Sequence, residues 1–565
     1  MKNKIMNALV LQKVTNEGKN AITELDRLCE TAVKTSEELL MKIVRDNADT
    51  EYGKANHFGD VKNIEDYKRL VPFSTYDDYA GYIARMIDGE ENLITTYPII
   101  HYAISSGSVG VPKKIPVSQD TVKLYSEYSA NLMFSLVGDY YREKFGKKLK
   151  KGKGLYAMEA KQKKLKNGIP VGPISATSLG HVKQFLPYLF SSPIEVIFAE
   201  GKMDMKYMKI RYAMEEKNLI YMVSAFMTAL VDLMHYMEVN WEMLLHDIET
   251  GTIDASINMA PELRTKMENN LRPNPVRAKE LRAIFEQGFE EPIIPRVWPK
   301  MEWVSAIGTG GFADYTIKMR KYLGEIPIYF SVYGASESLM AVARYMEEGE
   351  FVLLPQSGFY EFIPVEAEDE NVTCTIDQLE TGKDYEIVIT NTSGFYRYKI
   401  KDVIRVTGFH KESPKIKFVY RKNQMISIAG EKTNDEAVAW AISELKKAVG
   451  CEVLDYSIYA DTDVEPGRYV VFAETEKPIT DTSHEVCRDL IEEKLGIANP
   501  SFGKKIQTNV LGRTELHYVQ SETYALYRDL QVKRGVSLNQ LKPVRVIDNP
   551  VKEKFFFSLI DKEIE

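Results

Sequence analysis

The segment Thr392–Phe409, TSGFYRYKIKDVIRVTGF, does most to limit what this chain can become. Its aromatic and β-branched residues read as a buried strand. One carboxylate, Asp402, breaks that run. It is either paired with a nearby cation (Arg397, Lys399 or Arg405) or kept for a ligand, because a carboxylate accepts two hydrogen bonds from a diol better than a neutral side chain does. Two other segments invite the second reading. Ser105-Ser106-Gly107-Ser108-Val109-Gly110 follows the apolar run Tyr102-Ala103-Ile104 and precedes Pro112-Lys113-Lys114. Tyr333-Gly334-Ala335-Ser336-Glu337 follows the strand-like run 328–332.

Glycines let backbone N–H groups approach an anion, and serine hydroxyls add donors. No Gly-Lys-Ser/Thr follows, so the first segment is not a Walker loop. In the second, a ring face suits a base, a hydroxyl suits a phosphate, and a hard oxygen suits a hard cation. Taken singly, each segment reads as a turn at a strand end. Together they supply the parts needed to hold ATP by phosphate, base, metal and ribose.

With 565 residues the chain is too long for one core, so two or three domains are expected. Its 44% hydrophobic and 27% charged residues are those of a globular protein. Cys29, Cys374, Cys451 and Cys487 lie far apart with no CxxC pair. That argues against a disulfide framework or a zinc site and fits a reducing compartment. A net charge of -8 gives no general affinity for nucleic acid. The basic run 144–166 reads as a solvated lysine-rich loop rather than a polyanion site. Apolar stretches fall short of the roughly 18 residues that cross a membrane. Residues 5–11 open a helix, not a signal peptide. A cytoplasmic location with no membrane or nucleic-acid partner is expected, and the oligomeric state is open, a monomer included.

The first hundred residues read as helical, with apolar residues at helical spacing over 21–44. Pro72–Tyr79 looks like a loop carrying a helix N-cap. Residues 207–245 read as two helices meeting near Ser224. Strand-like runs near 99–104, 193–199, 301–307 and 328–332 alternate with helices, and strands dominate from 351 to 419. The fold class is therefore α/β, with a large N-terminal α/β domain of partly parallel sheets and a β-rich subdomain. After a break near 421–423, a helix (434–449), strands (453–460, 469–474) and a second helix (484–495) predict a smaller α+β domain. The boundaries read as 1–420, a hinge at 421–424, and a mobile domain at 425–565. No GxSxG elbow or HExxH motif supports a serine hydrolase or zincin.

The order and spacing of these motifs resemble the adenylate-forming superfamily of acyl-CoA ligases and firefly luciferase. Within it the chain is most similar to the plant auxin-responsive (Gretchen Hagen type) acyl-acid amido synthetases and their bacterial relatives. The family pattern Tyr-Arg-Tyr-x-x-Gly-Asp-Val-x-x-Val-x-Gly-Phe fits residues 396–409, with Lys401 in the glycine position. In the first loop, Ser108 replaces a threonine and Val109 replaces a hydroxyl residue. Val71-Pro72-Phe73, Tyr76-Asp77-Asp78, Trp298-Pro299-Lys300, Leu354-Pro355 and Tyr360–Pro364 also match, so the likeness covers most of the chain.

The resemblance implies that Ser105, Ser106, Gly107 and Ser108 hold phosphate. It implies that Tyr333 stacks on adenine beside Gly334 and Ala335, that Ser336 meets the α-phosphate, and that Glu337 binds Mg²⁺. Asp402 would hold the ribose, and Arg405 would belong to the same nucleotide site. Thr309, Gly310, Gly311 and Phe226 would line the acyl pocket. Lys432 and Lys542 would be catalytic, with the C-terminal domain rotating between half-reactions. The implied activity is ATP-dependent adenylation of a carboxylic acid and acyl transfer to an amine, an amino acid in this family. Thioester formation with coenzyme A is the alternative within the enzyme class. A nucleotide-binding regulatory module that has lost catalysis is the alternative outside it.

Overall fold

The computed structural model describes residues 2–105, 113–174, 179–180, 182–367, 369, 371–422, 425–431, 433–534, 536 and 541–561. They divide into two compact units. The first takes most of the chain up to Lys417; the second takes Lys401–Val403 and the chain from Phe418 onward.

The first unit opens with α1 (Lys2–Cys29) and α2 (Ala32–Asp46). Val10, Leu11, Ala21, Leu25 and Cys29 form the buried stripe of α1. The helix α3 (Tyr76–Ile87) begins at Thr75, whose N–H donates to the Asp78 carboxylate at 2.7 Å. That is the N-cap expected for this segment.

Strands β1 (Ile99–Ser105) and β2 (Lys113–Ser118) pair antiparallel, with Ser105 opposite Lys113. After β3 (Gly154–Tyr156), the short strands β4 (Lys163–Lys164) and β5 (Pro170–Gly172) extend the β1–β2 sheet in the order β2-β1-β5-β4. Helix α4 (Met205–Glu215), β6 (Tyr221–Phe226), α5 (Met227–Thr250), β7 (Trp303–Ile307), α6 (Ala313–Leu323) and β8 (Ile328–Tyr329) follow. β3, β6, β7 and β8 form a fully parallel sheet in that order. Open parallel sheets bind ligands beyond the carboxyl ends of their strands. Here those ends are Tyr156, Phe226, Ile307 and Tyr329.

Two sequence expectations are corrected. Residues 207–245 are not two helices joined at Ser224, because β6 lies between α4 and α5. A central strand of a parallel sheet is buried on both faces and shows no alternation, so its apolar run looks like buried helix. The run 193–199 is not a strand but a turn of helix, Ile194–Ile197, with Pro193 as its cap. Its buried Val196 and Ile197 supply the apolar signal.

The β-rich part is a seven-stranded sheet. Its members are β9 (Val332–Gly334), β10 (Leu339–Val342), β11 (Phe351–Leu353), β12 (Phe359–Pro364), β13 (Asp384–Thr390), β14 (Tyr398–His410) and β15 (Ser413–Arg421). The order is β12-β13-β14-β15-β11-β10-β9. The mixed α/β architecture with partly parallel sheets is thus the one read from the sequence.

In the second unit, β16 (Val453–Asp461) and β17 (Arg468–Thr475) form a hairpin, flanked by β18 (Glu515–Tyr518) on β17 and β19 (Val546–Ile547) on β16. Alternate residues of β17 feed two cores. Tyr469, Val471 and Ala473 pack with Val438, Ile442, Ile491 and Leu495, on helices Asp435–Val449 and His484–Ala498. Val470 and Phe472 pack with Tyr524, Tyr527 and Phe556.

Candidate active site

In the first unit the segments singled out in the sequence are tied together by hydrogen bonds. At the end of β2, Ser118 N–H donates to Ser393 Oγ at 3.0 Å, and the Ser118 and Thr392 hydroxyls meet at 2.8 Å. The hairpin that carries the Ser/Gly loop is therefore fastened to the start of the Thr392–Phe409 segment. Of that loop, Ser105 ends β1. Ser106, Gly107, Ser108 and Val109 lie outside the described residues.

The turn after β9 is closed by the Ala335 N–H donating to the Ser338 carbonyl at 2.9 Å. It presents Ser336 and Glu337, both half-buried. Tyr398 Oη donates to Glu337 Oε1 at 3.0 Å, and Asn391 Nδ2 donates to the Glu337 carbonyl at 2.9 Å. On the other side, Tyr125 Oη donates to the Ala335 carbonyl at 3.0 Å. Burial and then the Glu337 charge push the Tyr125 phenol well above its ordinary value, so it stays a donor. Gly334 leaves little space: a Cβ there would sit 3.0 Å from Tyr125 Oη, which would have to give by a few tenths of an ångström. Tyr333 is buried, its ring centroid 6.3 Å from that of Phe351. Lys113 Nζ lies 4.7 Å over the Tyr76 ring, and Lys114 N–H donates to Tyr76 Oη at 3.2 Å. Burial is the main cause of a raised Tyr76 phenol pKa, and Glu337 adds to it.

At the carboxyl ends of the parallel strands, Phe226 stacks on Phe312, centroids 4.6 Å apart and rings 11° from parallel. Phe312 closes the turn Gly310–Phe312 after Thr309. Gly308, which leads into it, has no room for a side chain: a Cβ would lie 2.3 Å from Thr316 Oγ1. Thr309, Gly310, Gly311 and Phe226 are thus on one short wall. Behind β3, the fully buried Lys209 of α4 donates to the Ala157 carbonyl at 2.7 Å. Burial drives its pKa down to about 8, opposed by the buried Glu159.

In the second unit, Asp402 is buried and its carboxylate accepts from Arg421 Nε. Its partner in this structure is Arg421, a cation that lies beyond the quoted segment. Lys401 has φ 68°, the left-handed region where glycine is easiest. A lysine therefore holds the backbone shape that glycine would hold there, at a strain of about 1 kcal/mol. Arg405 makes a two-pronged pair with Asp384 on β13, at 2.7 and 2.9 Å, on a half-exposed surface. Lys432 lies outside the described residues. Before it, residues 428–431 are held by the Glu431 carboxylate, which accepts from Ile428 N–H, Ala429 N–H and Tyr469 Oη at 2.7, 2.8 and 2.6 Å. Burial opposes the Glu431 charge, but these donors outweigh it and hold the carboxyl below its ordinary value. Lys542 is exposed, on an irregular segment that leads into β19.

Among the described residues no group of three or more His, Cys, Asp and Glu could hold a metal ion. Tyr398 and Asn391 carried no assigned role in the sequence. Tyr398 stands in the quoted pattern, four residues before Asp402, and only its hydroxyl on Glu337 distinguishes it from a core tyrosine.

Three family models match the chain in succession. The GH3 family N-terminal domain spans 21–328, the central domain 351–421 and the C-terminal domain 436–551. An indole-3-acetic acid-amido synthetase, GH3.8 of Oryza sativa subsp. indica, is 29% identical over 93% of this chain and 90% of its own. A jasmonoyl–L-amino acid synthetase, GH3.5 of Oryza sativa subsp. japonica, is 28% identical over 94% and 95%. The structure of the AtGH3.15 acyl acid amido synthetase in complex with 2,4-DB superposes with a TM-score of 0.83, at 27% identity over 97% of both chains. Fold and likeness together define an ATP-dependent ligase that adenylates a carboxylic acid and passes the acyl group to an amine. The chain belongs to the GH3 family.

Proposed function

We propose that this ligase joins a small carboxylic acid to an amino acid in the cytoplasm, using ATP with Mg²⁺. The acid carboxylate attacks the α-phosphorus and pyrophosphate leaves. The neutral amine then attacks the acyl carbonyl carbon, AMP leaves with the bonding pair, and the amine's proton passes to solvent. The observation that carries the reading is the hydrogen-bonded union of three motif segments: β2 with Thr392 and Ser393, and Glu337 with Tyr398.

In this reading the Ser105–Ser108 loop and Ser336 hold phosphate oxygens. Tyr333, with Gly334 and Ala335, takes the base, and Asp402 takes the ribose. Arg405 is assigned to the nucleotide as well, although in this structure it pairs with Asp384. Phe226 and Thr309–Gly311 wall the acyl group. Glu337 is the carboxylate that would hold Mg²⁺. A single acid fits that ion, which takes one or two carboxylates and completes its shell with substrate phosphates and water. Bound there, it would neutralise phosphate charge. Lys432 and Lys542 supply positive charge where it is needed most, as the α-phosphoryl group is attacked. Removing one such preorganised group costs a few kcal/mol of barrier.

The amino acid acceptor rests on the relative named for an L-amino acid product. Screening pairs of acids and amino acids by mass spectrometry of ATP-dependent products tests it. An amide is expected, and a coenzyme A thioester would replace this reading. Lys542→Ala should slow ATP–pyrophosphate exchange far more than amide formation from synthetic acyl-AMP. Equal losses in both would remove Lys542 from the adenylation step.

A further inference from the structure

Arg545 is a charged side chain held inside the second unit, 8% exposed. Its Nη1 donates to Asp455 Oδ1 on β16 at 2.5 Å and to the Tyr456 carbonyl at 3.1 Å. Its guanidinium lies 4.0 Å over the Tyr456 ring. Its Nε stands 3.8 Å from Asp435 Oδ1. Asp435 is the first residue of the helix Asp435–Val449 and is capped by Asn434, two residues after Lys432. Arg545 itself follows Lys542 by three residues, and its carbonyl accepts from Ile458 N–H at 2.8 Å. One guanidinium therefore ties the segment that bears Lys542 to β16 and stands against the first residue of the helix Asp435–Val449.

We propose that Arg545, held by Asp455, is a positioning residue that sets the segment bearing Lys542 against β16 for the adenylation step. This rests on the role proposed above for Lys542. The reason for an arginine is geometric. A planar fork can serve the Asp455 carboxylate, a carbonyl, the Tyr456 ring face and Asp435 at once, and an ammonium cannot. The reason for burial is rigidity: groups that must meet developing charge work when their own supports are locked. A displacement of about 1 Å in such a group can cost on the order of a hundredfold in rate.

The test uses the full-length chain with Arg545→Lys and Asp455→Asn. Should either fail to fold, Asp435→Asn removes the charge at the outer, 3.8 Å contact and keeps the shape of the side chain. The probes are ATP–pyrophosphate exchange with indole-3-acetate, or whichever acid of the screen gives exchange, and amide formation from the matching acyl-AMP. Exchange should fall by about tenfold or more, with transfer from acyl-AMP within about twofold. In a Lys542→Ala background the same changes should add little to the loss of exchange, because they act through that lysine. Hydrogen exchange read by mass spectrometry should quicken in peptides covering 426–435 and 541–547 and stay unchanged in β18. Parallel loss in both half-reactions, full additivity with Lys542→Ala, or unchanged exchange in the two peptides would overturn the proposal. If Lys542→Ala alone leaves adenylation intact, the role given to Lys542 fails instead, and the hydrogen-exchange result still decides whether Arg545 ties its segment to β16.

Discussion

Arg397 and Glu361 face each other as a two-pronged ion pair, Nε to Oε2 and Nη2 to Oε1, both at 2.9 Å. Arg397 Nη1 donates to the carbonyls of Lys68 and Val71 at 2.8 and 2.9 Å. Its guanidinium lies 4.1 Å over the Phe73 ring. The Thr373 hydroxyl donates to Glu361 Oε1 at 2.8 Å. Three segments that look unrelated in the sequence, Val71–Phe73, Tyr360–Pro364 and Tyr396–Tyr398, meet at this pair. Its work is to hold the segment whose Tyr398 reaches Glu337.

Glu361→Ala would strand a guanidinium that is only 6% exposed. Breaking a buried pair from one side costs about 3–5 kcal/mol. A clear drop in Tm is expected, smaller for Glu361→Gln, which keeps acceptor oxygen. An unchanged Tm for the alanine variant would mean that the pair supports nothing.

Asp402→Asn should raise KM for ATP by about ten- to a hundredfold, the equivalent of one charge-assisted hydrogen bond. KM for the acid should move much less. Arg421→Met provides the control, since it removes the cation and leaves the carboxylate. If both variants lose ATP affinity alike, Asp402 serves only its ion pair and the ribose role is wrong.

Tyr398→Phe removes the hydroxyl that steadies Glu337. The Mg²⁺ concentration needed for half-maximal pyrophosphate exchange should rise severalfold, as for the loss of one hydrogen bond of about 1 kcal/mol. Glu337→Gln should raise it further, because an amide oxygen is a poorer partner for a hard cation. An unaltered Mg²⁺ dependence in both would dismiss Glu337 as the metal residue.

Lys209 predicts a pH effect on stability. Its folded pKa, about 8, lies below the ordinary lysine value of 10.5. Between those two values the unfolded chain binds more protons than the folded one, so stability rises with pH across that window. Below about pH 8 the full cost of burying the ammonium is present. Lys209→Met has no such titration. The Tm of the parent relative to Lys209→Met should therefore climb between pH 8 and 10.5, by a few kcal/mol in free-energy terms. A flat difference would show that Lys209 keeps its charge at no cost.

The parts of the fold that were legible in the sequence are those with a period. The helical spacing of α1, the capped start of α3 and the strands β16 and β17 follow from the pattern of residues alone. What escaped is β6, where burial on both faces erased the alternation. Also missed was Ile194–Ile197, where two buried side chains on one helical turn look like a strand. The site divides in the same way. The quoted motifs mark backbone turns and charged residues, which survive as letters in a row. The tyrosines that hold those turns, Tyr125 on Ala335 and Tyr398 on Glu337, act at sequence separations of 210 and 61 residues. Nothing local distinguishes them from the other tyrosines of the core.

The partnership of Asp402 with Arg421 bears on any attempt to work with the chain in pieces. A cut at residue 420, where the sequence suggests a boundary, would leave the carboxylate on one fragment and its guanidinium on the other. The N-terminal fragment would then carry a buried acid without the guanidinium that meets it in the intact chain. Nucleotide affinity measured on such a fragment would report the severed partnership rather than the site. Fragments meant to keep ATP recognition should run past the end of β15, and those meant to isolate the C-terminal fold should begin after it.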